Sequence, residues 1–101
     1  MTAVKLSDMM KKRQLLSFEL FPPKTDRGMA NLSETIQQLC GYKPEYISVT
    51  YGAGGGNVGA NRQVCRMVRN AGTVPVTHFT VIRNTKQGIR EQLETYLKEG
   101  V

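Results

Sequence analysis

The segment YISVTYGAGGGNVG, residues Tyr46–Gly59, contains the transition that decides the fold of this chain. It begins with an apolar run, passes through a glycine-rich stretch and leads into residues whose apolar positions have helical spacing. A strand, a glycine loop and a helix in this order form one strand–helix unit. Gly54–Gly59 also matches the G-x-G-x-x-G pattern, which binds dinucleotides after the first strand of a Rossmann fold.

Two further apolar runs begin about 30 residues before and after this one, which is the length of a strand plus a helix. They are LLSFELF at Leu15–Phe21 and VPVTHFTVI at Val74–Ile82. Apolar residues at helical spacing follow each run, and Ser7 or Asp8 can cap a short helix before the first one. The pattern predicts an α/β chain in which a short leading helix precedes three strand–helix units with parallel strands.

Each of the three predicted helices after a strand is followed closely by a glycine, namely Gly41, Gly72 and Gly100. Glycine is the residue that most readily adopts the left-handed conformation at the end of a helix. We therefore predict left-handed helix ends at these three positions.

The two faces of each predicted strand differ in polarity. Phe18 and Leu20 share an apolar face while Glu19 lies on the other, and His78 likewise lies opposite Phe79. An open doubly wound sheet buries both faces, whereas a barrel strand faces helices on one side and the interior on the other. The polar faces therefore favour a TIM (β/α)8 barrel, of which 101 residues can form only an incomplete part, so we expect residues 1–101 to be a single partial domain.

The charged residues are unevenly distributed. Residues 46–90 contain six basic side chains and no acidic one, while the rest of the chain has eight of each sign. The stretch therefore lacks the acidic residue that binds ribose in a Rossmann fold, which argues against that reading. Such a block is typical either of a surface that binds an anionic partner or of solvated helix faces. The aromatic residues Phe18, Tyr46 and Phe79 lie within strand patterns, which disfavours a nucleic-acid-binding domain.

Composition and apolar patterning restrict the compartment and the cofactor classes. No apolar run approaches the roughly 18 residues of a membrane span, and no signal core is present at the N-terminus. Cys40 and Cys65 are far apart in sequence and the chain has one histidine, so the sequence predicts no metal site. A cytoplasmic, reducing compartment is the expectation.

Three of these segments together resemble the methylenetetrahydrofolate reductase family. SFELFPPK at Ser17–Lys24 closely resembles that family's first strand, usually S-F-E-F-F-P-P-K. SVTYGAGG at Ser48–Gly55 is similar to its second strand and loop, and THFTV at Thr77–Val81 is similar to its third strand. Their order and spacing also agree. The resemblance covers nearly the whole chain and corresponds to about the first third of the family's catalytic barrel.

The resemblance implies a flavoprotein in which FAD takes a hydride from NADH or NADPH and passes it to the folate substrate 5,10-methylenetetrahydrofolate. It places Glu19 at the position of the catalytic acid. Thr50, Tyr51, Ala53 and His78 match positions that contact the flavin or the nicotinamide. Glycines in the loop after the second strand then let the backbone approach a flavin closely, and the G-x-G-x-x-G pattern is coincidental.

One stretch departs from the family pattern. Gly56–Asn61 stands where the family commonly has a polar, arginine-containing run, so this chain lacks the arginine that the family places there. Three strands alone leave sheet edges unpaired. We therefore expect the isolated chain to be inactive and to self-associate or bind a complementing barrel fragment. The alternative is a non-catalytic module, derived from the same barrel, that binds an anion or a protein partner.

Overall fold

A computed structural model, which describes residues 5–52 and 58–101, shows three parallel strands that alternate with helices. The strands are β1 (Ser17–Leu20), β2 (Tyr46–Val49) and β3 (Val74–Thr77), and the helices are α1 (Leu6–Met10), α2 (Asp26–Cys40), α3 (Val58–Asn70) and α4 (Lys86–Lys98). The sheet order is β1-β2-β3, so each strand pairs with its neighbour in sequence. The predicted leading helix, strand–helix alternation and parallel pairing are confirmed.

The third strand is shorter than predicted. The sequence suggested a strand to Ile82, but β3 ends at Thr77. The amide of His78 still donates to the carbonyl of Val49, at 2.9 Å, and this bond lies where β2 also ends. Beyond it the chain leaves the sheet, and the ring of Phe79 packs against aromatic side chains on the helix side. The predicted strand was too long because polar and apolar residues continue to alternate in the sequence after Thr77, where backbone pairing with β2 stops.

The core lies between the sheet and the helices. Ile47 and Val49 of β2 are completely buried and pack with the apolar face of α3, which contributes Val64, Cys65 and Val68. Each such aliphatic side chain contributes about 1.5–3 kcal/mol by leaving water. The opposite face of the sheet carries Ser17 and Glu19 of β1 and Ser48 of β2, so the predicted two-sided polarity is confirmed for these two strands; in β3 this side carries Val76, and His78 lies just beyond the strand. We call this polar side the inner face.

Threonine side chains cap the amino ends of α2 and α4. Thr25 Oγ1 accepts a hydrogen bond from the amide of Gly28, and Thr85 Oγ1 accepts one from Gly88, both at 3.0 Å. The cap predicted for the leading helix is wrong, because α1 already begins at Leu6 and Ser7 lies inside it. No described helix is long and apolar enough to cross a membrane.

The helix ends confirm two of the three glycine predictions. Gly72 and Gly100 adopt positive φ angles of 92° and 79°. Gly41 does not, since its φ is −61°. The end of α2 is prolonged by bonds of the i to i+3 type, such as Lys43 N–H to Cys40 O at 3.0 Å, and Lys43 takes the left-handed position with φ 55°.

Glu45 ties the amino ends of β1 and β2 together. Its Oε2 accepts a hydrogen bond from the amide of Leu16 at 2.7 Å, and its own amide donates to the Leu16 carbonyl at 2.9 Å. The Leu16 amide lowers the pKa of the Glu45 carboxyl below its ordinary value of 4.5, and Arg13 lowers that pKa further. The carboxylate therefore stabilises the fold only while it is ionised.

We expect Glu45→Gln to lower the stability of the chain at pH 7 and to have little effect at pH 3. A lowered pKa in the folded state contributes stability above the ordinary pKa of 4.5, and that contribution is lost as the pH falls through the folded-state value. Urea unfolding at pH 7, 5 and 3 measures the difference between the two proteins. Glu34→Gln, on the exposed surface of α2, serves as the control. An equal difference at every pH contradicts this assignment.

Candidate active site

Three polar side chains from the three strands meet on the inner face near the carboxyl ends. Glu19 of β1 lies beside Ser48 of β2 in the register, and His78 directly follows β3. His78 Nε2 is 3.3 Å from Glu19 Oε1, and Ser48 Oγ donates to the same oxygen at 3.4 Å. Carboxyl ends of parallel strands lie at one edge of a sheet, where barrel enzymes place their reactive groups. The predicted acid and one predicted cofactor residue are therefore brought together.

The contact between Glu19 and His78 is open to solvent. Each side chain is 49% exposed. Ion pairs at such exposure contribute about 0–1 kcal/mol to stability, so this contact does little to hold the fold. A carboxyl and an imidazole in hydrogen-bond contact form a pair that can hold and move a proton. The arrangement therefore suits acid–base chemistry on a ligand placed over the inner face.

A shallow depression surrounds this pair. Its volume is about 490 Å³, within the range of small-molecule sites. Its walls combine polar groups with apolar ones, and they consist of Leu6, Ser17, Phe18, Glu19, Tyr46, Ser48, Val76 and His78. Leu6 of α1 closes one side, so the leading helix takes part in shaping the depression. The depression is large enough to bind part of a small-molecule ligand.

The remaining predicted cofactor residues lie in or next to the loop after β2. Thr50 is half-buried and its amide donates to the carbonyl of Leu20 at 2.9 Å, which fixes the start of the loop against β1. Ala53 lies outside the described residues. The loop therefore leaves the sheet from a defined position beside Glu19.

The side chain of Tyr51 points away from the inner face. It is buried on the helix side, where its hydroxyl donates to Gln92 Oε1 at 3.2 Å and its ring lies 5.5 Å from that of Phe79. Burial raises the pKa of the Tyr51 hydroxyl. Any contact of Tyr51 with a ligand on the inner face is consequently limited to its main chain.

Asn61 is a buried polar residue that the sequence analysis did not single out. It lies on the buried face of α3, completely inaccessible to solvent. Its Nδ2 donates to the carbonyl of Thr50 at 2.9 Å, and its Oδ1 accepts from Thr77 Oγ1 at 3.0 Å and from the Tyr96 hydroxyl. The periodicity search counted apolar residues only. An amide three residues before Val64 on the same helix face is the signal that could have found it.

Half of the acid-free basic block is engaged within the molecule. Arg62 Nη2 lies 2.6 Å from Glu99 Oε1, and Arg66 Nη1 lies 3.4 Å from the same oxygen. Arg69 Nη1 donates to the carbonyl of Gly100 at 3.1 Å. The hydrogen bond to Glu99 raises the pKa of Arg62. These three arginines therefore hold the turn after α4, while the other three basic side chains are exposed, namely Arg83, Lys86 and Arg90.

Comparison with known proteins places these features in a family. The family model described as methylenetetrahydrofolate reductase matches residues 5–101. Methylenetetrahydrofolate reductase (NADH) 1 of Arabidopsis thaliana is 34% identical over 86 residues, which cover 84% of this chain and 14% of that protein. The 5,10-methylenetetrahydrofolate reductase of Escherichia coli strain K12 is 31% identical over 87 residues, covering 85% of this chain and 29% of that protein.

The enzyme of the same name from Buchnera aphidicola is 34% identical over 89 residues, which cover 84% of this chain and 30% of that protein. The chain thus spans 29–30% of the length of these bacterial relatives and 14% of the Arabidopsis one. In each case most of this chain is included in the match.

Proposed function

Because this chain belongs to the methylenetetrahydrofolate reductase family, we propose that it forms the N-terminal part of a flavin-dependent reductase. Its reaction is the reduction of 5,10-methylenetetrahydrofolate to 5-methyltetrahydrofolate with NADH or NADPH as hydride donor. The observation that carries the proposal is the contact of Glu19 with His78 and Ser48 on the inner face. We assign the three strands to the start of a TIM barrel, and residues 1–101 to one partial domain.

Glu19 is the proposed catalytic acid. Both of its described side-chain contacts engage Oε1, so Oε2 is the oxygen that we assign to the substrate. A protonated Glu19 can donate to a ring nitrogen of the folate as the five-membered ring opens, which makes the methylene carbon electrophilic. His78 and Ser48 orient the carboxyl while it does so. Such positioned proton donors typically accelerate a reaction by about 10²–10⁴-fold.

The described residues fit a flavin in their chemistry. Ser48 and His78 present hydrogen-bonding groups beside an open, partly apolar depression, as a flat ring with a polar edge requires. Thr50, the main chain of Tyr51, Ala53 and His78 would hold it. When bound, FAD supplies hydride transfer from NADH or NADPH to the folate. In this proposal the residues of this chain bind and orient the FAD, and Glu19 supplies the proton to the folate.

The outer edge of β3 is the proposed junction with the rest of the barrel. A groove of about 470 Å³ lies between β3 and α4, with a lining that is mostly apolar: Leu6, Val74, Pro75, Val76, Thr77, Leu93, Tyr96, Leu97, Gly100 and Val101. Its occupant, we propose, is the next strand–helix unit of a complementing barrel segment. The length of the bacterial relatives supports this choice, because about 70% of their residues lie outside the match.

Co-expression of the chain with the remaining barrel segment of the Escherichia coli relative tests the proposal. We expect a co-purifying complex that retains FAD, seen as visible flavin absorbance, and that reduces methylenetetrahydrofolate. A complex that forms without flavin favours the non-catalytic module instead. Self-association of the chain, with no binding of the added segment, contradicts the proposed occupant of the groove.

Leu97→Asp is expected to weaken complementation at least about tenfold, because a charge in the groove must be buried without a partner. Leu97 is 66% exposed in the chain alone, so the substitution should leave the fold intact. Titration of the labelled barrel segment into each variant measures the affinity. Tyr42→Asp, at a similarly exposed site after α2, is the control. Equal losses in both variants argue against the groove as the junction.

A further inference from the structure

We propose that Asn61 is a positioning residue for the active site, setting the places of Thr50 and His78 from behind the sheet. The inference rests on the proposed function, because Thr50 and His78 matter only if a ligand binds at the inner face. Asn61 does not reach that face itself. It acts through the backbone at the carboxyl ends of β2 and β3, where both residues leave the sheet.

Asn61 is bonded on both sides of its amide. Nδ2 donates to the carbonyl of Thr50 at 2.9 Å and lies 3.5 Å from that of Val49. Oδ1 accepts from Thr77 at 3.0 Å and from the hydroxyl of Tyr96. A buried amide is costly unless its donors and acceptors are paired, and here both are. An apolar residue could fill the same space on α3 but could not make these bonds.

The bonds of Asn61 lead directly to both site residues. The Thr50 carbonyl belongs to a residue predicted to contact the flavin. Thr77, the last residue of β3, has one hydroxyl proton within reach of two acceptors, Asn61 Oδ1 at 3.0 Å and the carbonyl oxygen of His78 at 2.7 Å, and it donates to one of them at a time. One side chain therefore connects the carboxyl end of β2 to that of β3. This connection sets the separation between the loop after β2 and His78.

The Tyr96 hydroxyl extends the same network to α4. Burial raises the pKa of Tyr96 to about 12, so the hydroxyl remains a proton donor throughout the physiological range. The Tyr96 ring packs edge-on against Phe79, with centroids 6.1 Å apart, just after His78. Tyr96 thus contacts the segment after β3 through the ring of Phe79 and contacts Asn61 through its hydroxyl.

Amide hydrogen exchange on the full chain separates positioning from general stability. Thr50 N–H and His78 N–H form bonds at the carboxyl ends of the strands, while Glu45 N–H bonds to Leu16 at the amino end and serves as the internal reference. In Asn61→Ala we expect exchange at Thr50 and His78 to accelerate at least about tenfold more than at Glu45. Val64→Ala, equally buried on α3, is the matched control and should accelerate all three by a common factor.

The imidazole gives a second readout. His78 is the single histidine of the chain, so its ring protons give one resolved set of NMR signals. We expect these signals to move in Asn61→Ala and to stay in place in Val64→Ala. If Asn61→Ala does not fold, Tyr96→Phe removes one bond to Asn61 and keeps the ring. In Tyr96→Phe we then expect faster exchange at Thr50 and His78 and moved His78 signals, with both changes smaller than in Asn61→Ala.

Faster amide exchange that is confined to Thr50 and His78 supports the positioning role, whether or not the complemented assembly retains flavin. If Asn61→Ala accelerates exchange equally at Thr50, His78 and Glu45, the positioning role is wrong, even if the assembly is a working reductase. The same result in Tyr96→Phe has the same meaning when Asn61→Ala does not fold. In a flavin-loaded assembly, the visible absorption maximum should shift in Asn61→Ala and not in Val64→Ala. An unshifted maximum in Asn61→Ala also counts against the role.

Discussion

Glu19→Gln is expected to lower folate reduction by the complemented assembly roughly 10²–10⁴-fold, the usual contribution of a positioned proton donor. Glutamine keeps the size of the side chain and can still accept from His78 and Ser48, but it has no acidic proton to give. The transfer of a hydride from NAD(P)H to the flavin needs no such proton. Oxidation of NAD(P)H with an artificial electron acceptor should therefore continue at a near-normal rate.

Two further measurements separate acid catalysis from loss of the site. Flavin content, read from the visible absorbance of purified assembly, should be unchanged in Glu19→Gln. Ser48→Ala removes only the weaker contact to Glu19, at 3.4 Å, and is expected to reduce folate turnover far less. If Glu19→Gln retains full folate reduction, the proton comes from another group and the assignment of Glu19 is wrong.

Ile47→Ala is expected to destabilise the chain by about 2–5 kcal/mol, the usual cost of truncating a buried aliphatic side chain. Ile47 is 0% exposed at the centre of the core between the sheet and the helices. Small domains have about 5–15 kcal/mol of stability in total, so this loss is a large fraction of it. For a domain of this size each kcal/mol lowers the melting temperature by about 4–8 °C. A decrease of roughly 10 °C or more is the expected result.

Ile82→Ala provides a control with the same chemical change. Ile82 is 54% exposed beyond the end of β3, and surface substitutions usually alter stability by less than about 0.5 kcal/mol. Thermal unfolding followed by circular dichroism compares the two variants directly. Similar melting temperatures for both would mean that the core described around β2 does not exist in solution.

The alternation of elements was predictable because local signals agreed with the tertiary structure. Each strand was marked by an apolar run and each following helix by apolar residues at helical spacing; the capping threonines directly before α2 and α4 are a further local signal that the sequence analysis did not use. The end of β3 was not predictable in this way. Apolar and polar residues alternate through Val81, and only the end of its partner β2 at Val49 shows where pairing stops.

The site was partly predictable for the same reason. Strand periodicity and the family resemblance placed Glu19 and His78 on one face, and the structure brings them within 3.3 Å. The same alternation places Tyr51 on the apolar face with Ile47 and Val49, but its hydrogen-bond partner, Gln92, is 41 residues away in sequence. The partners of Asn61 and Arg62 are similarly distant, 35 and 37 residues along the chain. No local pattern encodes such pairs.

The order of strands in the sheet has a consequence for synthesis on the ribosome. Because β1, β2 and β3 are neighbours in both sequence and space, each new strand finds its partner already translated. The N-terminal part of a chain is synthesised first, at about 5–20 residues per second. The first strand pair is therefore fully translated while the third strand is still being synthesised.

The hydrogen bonds of Asn61 in α3 are completed only after Tyr96 of α4 has been synthesised. Asn61 emerges 35 residues before Tyr96, and at about 5–20 residues per second this gap lasts roughly 2–7 s. During that interval the amide of Asn61 lacks its partner on α4, and its apolar surroundings are only half assembled. Codon changes or stalling between these two positions should therefore prolong a state that chaperones can bind, in which Asn61 has not yet bonded to Tyr96.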